Sequence, residues 1–230
     1  MGEAVDIYAT KGVEYLIVLG YLMVLVGLWV LLSPKKVAWA VGMRARSVPV
    51  RAGQWFTLRQ DYFYHQGHSW ATAEDGDVVT VGVDDFAQRL LGRPDELQLP
   101  QTGTRVQQGE LAWSFVVGGR AIGMLSPVDG KVIAVNRAVL ERPELLAESP
   151  YDHGWLLKVR VPKPRVAFRN LLTGDLSRSW MAQVVERVRR MHAGELGVVM
   201  PDGGVPVPGF VRQLAPDRWD EVAREFFLTE

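Results

Sequence analysis

The first pattern in the chain is an uninterrupted apolar run. YLIVLGYLMVLVGLWVLL, Tyr15 to Leu32, is eighteen residues without a charge. A helix of that length covers about 27 Å, close to the hydrocarbon thickness of a bilayer. It lacks the polar stripe of a helix buried in a soluble core. Tyr15 and Trp29 stand near its ends, Tyr21 within it, and Lys35 and Lys36 follow directly, the usual company of a membrane span. A cleaved signal peptide would begin with a basic leader. Here Glu3 and Asp6 come first, and Lys35 and Lys36 interrupt the approach to the small residues Ala38 and Ala40. The pattern predicts a tail over 1–14 and one transmembrane helix over 15–32. Arg44, Arg46, Arg51 and Arg59 follow the two lysines before any acidic residue, until Asp61. That bias places the N-terminus outside and the main domain in the cytoplasm.

Residues 33–60 read as a basic linker, because Ser33-Pro34 stops the helix and small and basic residues follow. From Asp61 the period shortens. HSWATA and DVVTVGV are alternating runs joined by Glu74-Asp75-Gly76, a hairpin signature. DDFAQRLLG predicts a short helix with Asp84 as N-cap, Phe86, Leu90 and Leu91 on one face, and Gly92 as stop. Gly118-Gly119 marks a tight turn whose two central residues need positive φ, and Asp129-Gly130 marks another. Beyond Arg160, Pro162 and Pro164 exclude regular pairing. Two helical stripes follow. One carries Trp180, Met181, Val184, Val185, Val188 and Met191, and the other Trp219, Val222, Ala223, Phe226 and Phe227, with PDGGVPVPG as loop between them. The expected organisation is a β domain over 61–160 and a helical extension over 161–230.

Composition narrows the chemistry. There are 26 basic and 26 acidic side chains, so no whole-molecule field points to nucleic acid. The absence of cysteine removes disulfides, thiolate nucleophiles and cysteine-ligated metals. His65 and His68 have HxxH spacing, but Gly67 breaks a helix there, and in an extended segment positions three apart face opposite ways. No metal site is expected from so few ligands. No G-x-S-x-G elbow, P-loop or dinucleotide fingerprint is present, so no catalytic set is assigned.

HSW…GDVVTVGVDDFAQRLLG, LPQTGTRVQQGE, LSPVDGKVIAVN and RPELLAESPYDHGWLLKV together resemble the H protein of the glycine cleavage system, over about His68 to Val159. The resemblance implies a mainly β fold, the barrel-sandwich hybrid of H proteins and lipoyl domains, here with an N-terminal transmembrane helix and a C-terminal α-helical extension added. In that family a lysine seven residues before the serine of Ser-Pro-Val carries lipoate. Counting back from Ser126 reaches Gly119, flanked by Gly118 and Arg120. A guanidinium stays protonated and cannot form the amide. The nearest amine is Lys131.

The expectation is therefore a non-enzymatic accessory or scaffold subunit without a cofactor, held in the lipid bilayer and docked on an integral membrane protein complex of respiratory, photosynthetic or other redox type. Trp180, Arg187, Arg190, Trp219, Phe226 and Phe227 are candidate partner contacts, and the Gly118–Arg120 turn a candidate contact knob. The alternative is a membrane-tethered lipoyl carrier modified at Lys131. A third reading, a small-molecule or lipid sensor, has no ligand chemistry in the sequence to develop it.

Overall fold

A computed structural model describes residues 7–32, 49–52, 55–191 and 206–229. The chain divides into two compact units with the boundary after Met43.

In the first unit α1 (Ile7–Leu32) is a 26-residue helix, eight residues longer at its start than the apolar run. Its described side chains, Tyr15 and Tyr21 among them, are exposed. Among the described residues no helix is long and apolar enough to cross a membrane. The side chain of Trp29, and Lys35 and Lys36 altogether, lie outside the described residues.

The second unit is mainly β. Strands β1 (Pro49–Ala52) and β2 (Phe56–Arg59) form an antiparallel pair. A six-stranded sheet has the order β3 (Phe63–Tyr64), β4 (Ser69–Ala73), β5 (Val78–Val83), β11 (Leu157–Arg160), β10 (Gly130–Val135), β7 (Arg105–Val106). A three-stranded sheet has the order β6 (Glu96–Gln98), β8 (Leu111–Val117), β9 (Arg120–Leu125). The Ser69 hydroxyl donates to the Leu125 carbonyl at 2.8 Å and joins the two sheets.

The β4–β5 hairpin forms where the Glu74–Gly76 turn predicts it. β5 is buried almost throughout and β4 over its first three residues, rather than alternately, because other elements cover both faces there. Trp70 sits opposite Gly82, and its indole lies where a side chain at 82 would begin: a Cβ there would come within 2.5 Å of the ring. Its Nε1–H donates to the Val83 carbonyl at 2.8 Å. Helix α2 (Asp85–Leu91) is capped as expected: the Asp84 carboxylate accepts from the Ala87 amide at 2.8 Å, and Gly92 ends the helix.

Short helices α3 (Arg137–Glu141) and α4 (Leu145–Glu148) precede β11, and α5 (Pro164–Ala167) runs into a 3-10 turn at 168–170. Helix α6 (Gly174–Met191) buries Met181, Val184, Val185 and Val188. Beyond the next described residues come α7 (Val211–Leu214) and α8 (Trp219–Phe227).

One expected boundary differs. The segment read as a linker contributes β2, whose Phe56 and Leu58 are buried. The Thr57 amide donates to Asp85 Oδ2 at 2.8 Å, and the Tyr151 hydroxyl donates to the Thr57 carbonyl at 2.5 Å. The helical extension packs on the β domain: Phe210, Phe226 and Phe227 enter the same core as Phe56 and Phe86.

Candidate functional site

The β8–β9 hairpin ends in a two-residue turn. Gly118 and Gly119 adopt φ of 56° and 77°, and Val117 pairs with Arg120 across them. Only the left-handed region closes so short a loop in step with strand twist, which is why glycine occupies both places. The tip is held from two sides. The Gly118 amide donates to Asp95 Oδ2 at 2.6 Å. On the other side the Arg120 guanidinium pairs with Asp220 and lies 5.7 Å from the centre of the Trp219 ring. Arg224 reaches Asp220 Oδ2 at 3.0 Å, so one carboxylate holds two guanidiniums. Burial would raise the Asp220 pKa, but the Arg120 hydrogen bond and the two positive charges outweigh it and hold the carboxyl below its ordinary range.

Helix α8 lies along β9 and covers its outer edge. The Arg224 guanidinium donates to the Ala121 carbonyl and the Thr229 hydroxyl to the Gly123 carbonyl, each at 3.4 Å. These groups face acceptors that no neighbouring strand takes up. Under the helix is a second junction. His68, itself at φ 65° and buried, places Nδ1 2.8 Å from Asp84 Oδ2, beside the oxygen that caps α2. Its ring stacks on Phe86 at 4.2 Å and meets Trp180 of α6 at 4.7 Å and Phe227 of α8 at 6.1 Å. His65 instead accepts from the Gly67 amide at 3.0 Å, and burial, with His68 nearby, lowers its pKa. Burial raises the Tyr62 hydroxyl to about 12, while that hydroxyl donates to the Tyr151 carbonyl at 2.7 Å.

The expectation of aromatic partner anchors is corrected by this packing. Trp219, Phe226 and Phe227 are buried within the chain and Trp180 is half-buried against His68 and Tyr64. Arg187 pairs with Glu225 and lies 4.5 Å from the Phe226 ring centre. Arg190 extends into solvent, 74 % exposed, with Glu186 3.7 Å away. A stripe of period 3.6 shows that a face is covered, and here the cover is the β domain.

Lipoate does not fit these residues. Gly119 offers no amine, and a side chain built there would meet open space but would inherit the positive φ. Lys131 is no substitute at a loop tip: it lies within β10, opposite Arg160 on one side and Arg105 on the other. The crevice lined by Val83, Ala87, Leu91, Phe115 and Leu146 offers about 10 Å³, no more than one water requires.

The family profile described as Glycine cleavage H-protein matches residues 62–183. A probable glycine cleavage system H protein of Aeropyrum pernix is 37% identical over 139 residues, covering 60% of this chain and 91% of that protein. The glycine cleavage system H protein of Rubrobacter xylanophilus is 44% identical over 105 residues, 45% of this chain and 82% of that one. A crystal structure of the H protein from Mycobacterium marinum aligns with TM-score 0.48 and 28% identity, covering 56% of this chain and 99% of the other.

Proposed function

From the premise that the chain belongs to the glycine cleavage H-protein family, whose members are carriers rather than enzymes, we propose that this member has given up carriage and serves as a membrane-anchored accessory subunit. One observation carries the reading. Where the resemblance expects the modified lysine there is a glycine at φ 77° in a two-residue turn, with Asp95 on one side and the Trp219–Asp220 clamp on the other. A swinging arm needs an amine on a tip free to present it. This tip has no amine and is tied down. Helix α1, with its exposed apolar side chains, supplies the anchor, and the charge bias after it keeps the second unit on the cytoplasmic side. The partner is an integral membrane complex, for which a redox assembly is the first candidate. With the aromatic stripes used internally, the surface left for that partner includes Arg190 and the open side of Gly119.

Purification from native membranes in mild detergent, with mass spectrometry of the co-migrating proteins, tests this directly. Stoichiometric integral membrane subunits support the reading. A chain that travels alone or with soluble lipoate enzymes refutes it, and an intact mass carrying a lipoyl group at Lys131 would restore the carrier.

A further inference from the structure

We propose that the outer face of the six-stranded sheet, at Arg105, Lys131 and Arg160, is a contact surface for an anionic lipid bilayer. The register puts these three in one row: Lys131 is directly opposite Arg160 on β11 and directly opposite Arg105 on β7. Opposed residues project to the same face, and all three are exposed while their neighbours Val106, Val132 and Val159 point into the core. Like charges in direct opposition weaken a sheet, so folding alone gives no reason for the row. Among the described residues, the acidic groups near the row compensate it only in part. Arg160 has Asp77 at 3.5 Å, whereas the nearby Asp129 carboxylate accepts from the Gln108 amide at 2.9 Å. Lys158 is balanced by Glu74 and is not part of the row.

The basic surface extends past the sheet edge. Gln108, two residues beyond β7, donates to the Ala167 carbonyl at 3.0 Å and accepts from the Asn170 amide group at 3.1 Å. It thereby ties Ala167 and Asn170 to the chain just past β7, while Phe168 between them stacks on Phe63 of β3. The segment 161–170 contributes Lys163, Arg165 and Arg169, all exposed, and no acidic residue. Val166, in the midst of these cations, is 51% exposed. A row of cations about 10 Å across three strands, bordered by an exposed apolar side chain, suits a flat anionic interface with a shallow apolar layer. Lipid as the occupant rests on the reading of α1 as an anchor, which would hold the second unit near a bilayer.

The chain has no cysteine, so Val166→Cys gives a single labelling site for an environment-sensitive fluorophore. The full chain is mixed with vesicles of phosphatidylcholine, or of an equal mixture with phosphatidylglycerol, each carrying a headgroup quencher, and flotation is followed in parallel. Quenching is expected in the mixed vesicles and should be lost at high salt, where the screening length falls to about 3 Å. Neutralising Arg105, Lys131 and Arg160 to Gln should raise the phosphatidylglycerol needed for half-maximal quenching by about fivefold per cation. The melting temperature should not fall, since the like-charge row is relieved. Equal quenching in both vesicles, or no effect of the substitutions, overturns the proposal. The anchor is judged separately. Flotation with both vesicles without selective quenching keeps the anchor and sinks the face. Flotation and quenching only with the mixed vesicles support the face and sink the anchor, and flotation with neither sinks both.

Discussion

Replacing Phe227 by Ala tests whether α8 is part of the β fold. The Phe227 side chain is fully buried, and its ring centre is 6.1 Å from that of His68. Its carbonyl lies where a Cβ on Gly67 would come within 2.7 Å, so backbone and side chain are both pressed against the β3–β4 turn. Truncating a buried Phe to Ala costs about 3–5 kcal/mol, transfer and cavity terms together. At about 2–4 °C per kcal/mol for a unit of this size, the melting temperature should drop by about 6–20 °C. The assay is thermal unfolding of the full chain in detergent, followed by far-ultraviolet circular dichroism for helix and by tryptophan fluorescence for the β core. Fluorescence is recorded with Trp180 and Trp219 replaced by Phe in both proteins, so that the helices do not contribute and Trp70 and Trp113 report from inside that core. If α8 belongs to the same cooperative structure, both signals move together by that amount. A tryptophan transition unchanged while helix is lost at lower temperature would make α8 a separable appendage. The clamp on the hairpin would then be incidental.

Other outcomes follow from the same geometry. Gly119→Lys should fold with a loss of about 1 kcal/mol from the positive φ, read by denaturant unfolding, and a lysine there costing nothing would remove the turn's strain argument. A double-mutant cycle between Arg120→Gln and Asp220→Asn should give a coupling of only about 0.5–1 kcal/mol, because Arg120 is half exposed. Acid should destabilise the fold in two steps. The folded His65 pKa lies below 6.5, so its contribution is complete above that value and declines as pH falls toward the lowered one. The folded Asp220 pKa lies below 3.8, so its contribution is held above that and lost on further acidification. Asp220→Asn should flatten the lower step in a plot of melting temperature against pH, and an unchanged acid limb would refute the assignment.

Local grammar made much of this fold legible. The Glu74–Gly76 turn, the Asp84 and Gly92 caps and the paired glycines each specify their own geometry within a few residues, and each formed as read. The stripes of α6 and α8 were legible as buried faces, but not their cover, because periodicity says nothing of the opposing surface. Strand β2 was hidden because four residues carry little pattern. Its evidence lies in Asp85 and Tyr151, 28 and 94 residues from Thr57. The cationic row depends on register between β7, β10 and β11, and residues 105, 131 and 160 have no relation in a linear reading. Gly119 was the reverse case: its interest came from the resemblance to H proteins, and geometry only explained why glycine occupies the turn.

The cover that α8 gives to β9 also sets an order of events during synthesis. Gly123 is made 106 residues before Thr229, whose hydroxyl meets its carbonyl. At roughly 5–20 residues per second, translation leaves that strand edge without its helix for about 5–20 seconds. Phe56 waits longer still for Phe210. The nascent chain must therefore keep an unpaired edge away from its neighbours until the late-made helix arrives. Helix α1 emerges before all of it, and on the proposed reading of α1 as an anchor, early insertion would spread such chains over a membrane rather than leave them free to meet in solution.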